Sequence, residues 1–138
     1  MDALWIDLPV RDVEVSRNFF RTIGFRENSN CPDPSIGSFF VGNQDVVIML
    51  NPLERFKQFV STEVADPKQG TQVLLNVSAR TRADVDEMAE KVRQGGGSIF
   101  SQPQQWDSWM YGLGFADPDG HRWICLYMDS PQNKNNQQ

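Results

Sequence analysis

The chain has 138 residues, 39% apolar and 22% charged, which suits one globular domain with a real core and excludes a fibre or a disordered chain. A formal net charge of -5 with no cluster of Lys and Arg argues against a nucleic-acid partner, because phosphate binding needs concentrated positive charge. No apolar run approaches the roughly 18 residues of a membrane span, and MDALWIDLPV lacks the basic and apolar regions of a signal peptide, so no membrane contact and a cytoplasmic location are expected. In that compartment Cys31 and Cys125 are expected as free thiols.

In chain order, ALWIDLPV alternates, with Leu4, Ile6, Leu8 and Val10 on one face and Trp5 and Asp7 on the other, the period of a half-buried strand. Pro9 suits an edge or a strand exit. Asp12 is placed to cap a helix through about Ile23, with Ser16, Phe19, Phe20 and Ile23 on its inner side and Gly24 as its stop. Strands follow at about 38 to 42 and 45 to 50. NPLERFKQFVS reads as an added helix, at about 52 to 61, with Asn51 as cap and Pro52 in its first turn.

The second half repeats the order. TQVLLNVS is a strand, Thr81 to Asp84 a capping box, and Val85, Met88, Ala89 and Val92 recur at helical spacing until Gly95-Gly96-Gly97. Further strands are expected near 98 to 100, 109 to 116 and 121 to 128, with QQWDSWMYG as a loop. Between the last two, Asp117-Pro118-Asp119-Gly120 supplies a turn: Asp bonds back to its own backbone, Pro118 presets φ and Gly120 accepts a positive φ. RQGGGS follows a helix instead of opening one and so is no phosphate loop, and no serine or cysteine stands in a nucleophile motif.

The order strand, helix, three strands, written twice, with LPVRDVEVSRNFFRTIGF opening the first half and RQGGG then FADPDGHRW closing the second, resembles the vicinal oxygen chelate superfamily. That group includes glyoxalase I, extradiol dioxygenases, and bleomycin and fosfomycin resistance proteins; within it the chain looks closest to predicted lactoylglutathione lyase-like proteins. The resemblance implies an α+β fold in which two βαβββ modules form a cup of curled mixed sheet. One domain of residues 1–130 is expected, from modules 1–51 and 70–130, with a disordered tail at 131–138. It also implies a homodimer.

Metal-dependent members of the superfamily place ligands, usually His and Glu, on the first and last strand of each module. Here those positions fall on Trp5, Met49, Gln72 and Ile124, and zinc, iron or nickel sites draw on His, Cys or carboxylate. No metal and no other cofactor is therefore expected. The one histidine, His121, follows the turn with the opposite parity to Ile124 and reads as a turn-flanking residue.

What remains is an apolar cup. Trp5, Met49 and Ile124, with Val47, Leu74 and Leu126, form its walls, and Asp7, Gln72, Asn76 and Arg122 its polar members. Trp106, Trp109, Met110 and Tyr111 are added from the expected loop. The expected ligand contacts are Trp5, Asp7, Met49, Gln72, Asn76, Trp109, Tyr111, Arg122 and Ile124. Asp7 and Arg122 can form an ion pair; alternatively Arg122 holds an anionic group, or Asp7 acts as a base with its pKa raised by apolar neighbours. Three functions fit: a metal-free protein that binds a small molecule, as bleomycin resistance proteins do; an enzyme, either a lyase or isomerase using Asp7 or one related to the dioxygenases; or a dimeric module whose cup is packed shut.

Overall fold

The computed structural model describes residues 1–43 and 46–129. The expected tail at 131–138 lies outside the described residues. Two compact units divide the described residues, the first ending at Gly70 and the second beginning at Thr71; the first has two helices and the second one, each unit with a four-stranded mixed sheet. The fold is α+β with two such modules.

In the first unit β1 (Leu4–Val10) leads into α1 (Val13–Thr22), then β2 (Arg26–Glu27), β3 (Gly37–Val41), β4 (Val46–Pro52) and α2 (Leu53–Val60). The strand order is β1-β4-β3-β2, with β1 parallel to β4 and the other pairs antiparallel. Asp12 caps α1 as its spacing predicts, its carboxylate accepting from the Glu14 and Val15 amides. Gly24 then takes a φ of 99°, which carries the chain off the helix. The inner face of α1 buries Phe19 and Phe20; the Phe20 ring lies 5.4 Å from Phe25 and 5.9 Å from Phe39. Each such ring contributes roughly 1.5–3 kcal/mol by leaving water.

Asn51 is not the cap of α2. Pairing with β1 keeps β4 extended through Pro52, so Asn51 sits opposite Pro9, 3% exposed, and Pro52 takes the cap position with no side-chain bond. The loop before β3 is tied to α1 by Arg17, whose Nη2 donates to the carbonyls of Pro34 and Ile36 at 2.6 and 2.7 Å.

In the second unit β5 (Leu75–Ser78), α3 (Arg82–Gln94), β6 (Ser98–Asp107), β7 (Met110–Ala116) and β8 (Arg122–Met128) form a sheet in the order β5-β8-β7-β6. Thr81 caps α3 by accepting from the Asp84 amide at 3.0 Å. Val85, Ala89 and Val92 are buried on the helix, and Leu113, Phe115, Trp123 and Cys125 on the sheet. Burial pushes the Cys125 thiol up to about 11, with Asp84 adding to the rise, as suits an inert core thiol.

Two strand boundaries differ from expectation. β5 is shorter than TQVLLNVS, leaving Gln72 and Leu74 exposed ahead of it. QQWDSWMYG is no loop: β6 runs to Asp107, and only Ser108 and Trp109 turn before β7. The register of β6 shifts three times along its length, and Pro103 lies in this irregular stretch of an outer strand. The β6 run SQPQQ lacks the apolar and polar alternation by which a strand is read. No helix among the described residues is long and apolar enough to cross a membrane.

Candidate functional site

Both sheets have one face under their helix and one turned away from it, and the residues of interest lie on the second. In the first unit, register sets Trp5 beside Val47, Asp7 beside Met49 and Pro9 beside Asn51, with Phe40 and Ser38 continuing the rows on β3. Trp5 is 70% exposed. Asp7 is the carboxylate of this face. Burial pushes its pKa up, while a hydrogen bond from the Asn51 side chain and the charge of Arg55 pull it down. Arg55 extends from α2, its Nη1 3.4 Å from Asp33 Oδ2 and its guanidinium 5.4 Å from the Phe59 ring centre. Asn51 Oδ1 and Arg55 Nε are closed to solvent and have no hydrogen-bond partner.

In the second unit the corresponding face is a floor with rings laid on it. Gly112 pairs with Leu126 and Gly114 with Ile124, so the two glycines leave flat backbone between the side chains of β8. Aromatic rings from β6 occupy that space. A Cβ at Gly112 would stand 2.5 Å from the Trp106 ring, and one at Gly114 would collide with the Phe100 ring. Neither glycine has a positive φ, so what these positions need is room, not backbone freedom. Phe100 remains 41% exposed. Arg122, exposed at the start of β8, holds its guanidinium 4.2 Å above the centre of the Phe100 ring. Asn76 on β5, exposed, is the register partner of Ile124.

The expected site residues divide accordingly. Trp5, Asp7 and Met49 share the face of the first unit; Asn76, Ile124 and Arg122 share that of the second. Tyr111 faces the other way. It pairs with Tyr127 on the helix side, where its hydroxyl donates to Asp86 of α3 at 2.6 Å and Arg82 lies over both rings, and the Asp86 bond raises its pKa. Reading QQWDSWMYG as a loop accounts for this, because only the strand pairing of β7 with β8 fixes which face Tyr111 takes. Gln72 precedes β5 and has no strand position, and Trp109 is a half-exposed turn residue whose amide donates to Asp107 Oδ1. Phe100, Asn51 and Arg55 are the additions. The spacing Gly112, Gly114 in YGLGF marks a strip of sheet face without side chains and is the sequence signal for the ring floor.

The DPDG turn forms as its composition dictates. Asp117 is 5% exposed; its Oδ1 accepts from the Asp119 and His121 amides at 3.1 Å each, and its Oδ2 accepts from Trp123 Nε1 at 3.2 Å. Burial pushes the Asp117 carboxyl up, against the lowering effect of His121 and the Trp123 donor. His121 thus stands at the turn beside Asp117.

The family model described as the glyoxalase/bleomycin resistance protein/dioxygenase superfamily matches residues 3–124. The chain belongs to that superfamily. Its fold matches a hypothetical protein from S. aureus with a TM-score of 0.80 at 25% identity, covering 92% of this chain and 94% of that one. A glyoxalase/bleomycin resistance protein/dioxygenase family enzyme from Burkholderia phytofirmans gives 0.78 at 19% identity, with 93% and 99% covered. A glyoxalase-related enzyme from Fulvimarina pelagi gives 0.77 at 20% identity, with 91% and 86% covered. No curated protein matches the sequence.

The metal that many members of this superfamily hold does not fit the residues here. The indole of Trp5 only donates, Met49 offers a weak thioether, Ile124 offers nothing, and Gln72 lies off the strand. Among the described residues, no group of three or more His, Cys, Asp or Glu could hold a metal ion. The donor chemistry is that of an apolar surface with one carboxylate in the first unit and one guanidinium in the second.

Proposed function

We propose that this superfamily member is a small-molecule-binding protein that needs no metal, and that its ligand lies on an apolar aromatic sheet face. The observation that carries the reading is the ring floor of the second unit, where Phe100 and Trp106 lie over Gly112 and Gly114 beside Ile124. A packed core does not leave Phe100 41% exposed on flat backbone, whereas few polar groups among aromatic and aliphatic walls is how a ligand surface is built. The face of the first unit supports the same reading through the exposed Trp5 and half-buried Met49.

A homodimer belongs to this reading. Leu4 and Trp5 are exposed on β1, an outer strand of its sheet, and a second copy would cover such an edge. A cytoplasmic location is supported by the two free thiols. A second reading, an isomerase or lyase with Asp7 as base, is favoured by one feature: burial raises its carboxyl, and Asn51 orients it.

Calorimetric titration with two planar probes, 2-naphthoate and 2-naphthylmethanol, tests the main reading. At least one is expected to bind, and Trp106→Ala should weaken that binding by about 1–3 kcal/mol. Thermal unfolding of the variant should stay close to that of the native chain. Failure of both probes to bind would sink the proposal.

A further inference from the structure

We infer that the ligand of the second unit's face is a planar organic anion, its ring against Phe100 and Trp106 and its carboxylate, or a group of like geometry, held by Arg122. The inference rests on the small-molecule reading above and adds the ligand's charge and the residue that reads it.

Charge on this sheet is sparse and one-sided. The four strands of the unit carry one carboxylate, Asp107, and one cation, Arg122. Asp107 is at the far end of β6, with its Oδ1 already accepting from the Trp109 amide. The Arg122 side chain takes part in none of the ion pairs or side-chain hydrogen bonds among the described residues, and its one contact of this kind is the Phe100 ring. Arg82, which lies over the Tyr111 and Tyr127 rings, is by contrast tied through its N–H group to Gln105 at 3.3 Å. Arg122 is stacked and still has its donors to give.

The stack matters for what those donors can bind. An aromatic ring beneath the guanidinium restricts where it can go without using its N–H edge, so less freedom is lost when an anion docks. That edge matches a carboxylate in a two-point arrangement. Its neighbours in the register, Ala116 across the ladder and Ile124 two residues on, are 9% and 8% exposed, so an ion pair formed there has apolar groups on one side and is screened less than in open water. Apolar rings and flat glycine backbone continue from Phe100 to Trp106 and accept a planar body attached to that anionic group. The protein's net charge of -5 opposes anions at long range, so the preference has to come from this contact and be local.

The test compares three probes that share one ring system: 2-naphthoate, neutral 2-naphthylmethanol and cationic 2-naphthylmethylammonium, each titrated calorimetrically into the full chain. The native protein is expected to bind 2-naphthoate about tenfold or more tightly than the alcohol, and the ammonium compound least. Arg122→Gln should bring 2-naphthoate down to the affinity of the alcohol while leaving the alcohol unchanged, and Arg122→Lys should recover part of the gap. Equal binding of the three by native protein, or a preference for 2-naphthoate that survives Arg122→Gln, overturns this inference and leaves the small-molecule reading standing. A lowered unfolding temperature in Arg122→Gln with the preference intact makes Arg122 a structural cap on Phe100 and overturns it as well. Failure of every probe to bind the native chain overturns both this inference and the small-molecule reading.

Discussion

Asp117→Ala is expected to lower the free energy of unfolding by on the order of 3–5 kcal/mol. The carboxylate collects the amides of Asp119 and His121 on one oxygen and the indole N–H of Trp123 on the other. Trp123 is 1% exposed and stacks on Phe115 with ring centres 6.2 Å apart, so the turn is anchored directly to the core of its unit. Alanine leaves three donors without their partner, at least two of them where water does not reach, and each costs about 1–3 kcal/mol. Asp117→Asn should cost less, since its carbonyl can still take the two amides, but its NH2 then faces Trp123 Nε1. Urea unfolding checks this: the midpoint should fall with the slope unchanged, and a loss below about 1 kcal/mol for alanine would show that the carboxylate does not organise the hairpin.

Gly114→Val is expected to leave the fold standing and to weaken planar-probe binding by about 2–3 kcal/mol. The backbone at Gly114 has no positive φ, and valine is a good strand former, so the main chain has no objection to the change. The obstacle is the Phe100 ring, which lies where the new side chain would be. Because that ring is 41% exposed, it can swing off the sheet, taking with it the seat of the Arg122 guanidinium. Stability and binding should therefore part company in this variant. Binding kept within about threefold would show that the ring floor is not where the ligand lies.

Much of the fold is legible because the signals are local. Asp12 and Thr81 announce helix starts, Gly24 and the glycines after Gln94 announce ends, and DPDG announces its hairpin; each acts within a few residues. The face of β1 is legible for a related reason: alternation assigns Trp5 and Asp7 to the side away from α1, which is where the ladder with Val47 and Met49 puts them. Legibility fails where position depends on a distant partner. β6 is polar, contains Pro103 and slips register three times, so its strand character comes from pairing with β7 and not from its own pattern. With the strand expected only near 98 to 100 and QQWDSWMYG read as a loop, Tyr111 is given to the wrong face and the rings of Phe100 and Trp106 are not placed on the glycines. Asn51 fails likewise. Asn-Pro before a helix is a cap by composition, and only the parallel pairing with β1 holds it in the sheet, buried beside Asp7.

One titration decides whether the aromatic sheet face binds its ligand without a metal. Protein stripped with EDTA and dialysed free of chelator would be titrated with 2-naphthoate in a calorimeter, before and after one equivalent of nickel, zinc or iron(II). Binding of the stripped protein, with affinity unchanged within about twofold by each metal, is the expected result, since Trp5 and Ile124 offer a metal nothing to bind and Met49 only a weak thioether. Binding that appears only once a metal is added would contradict it.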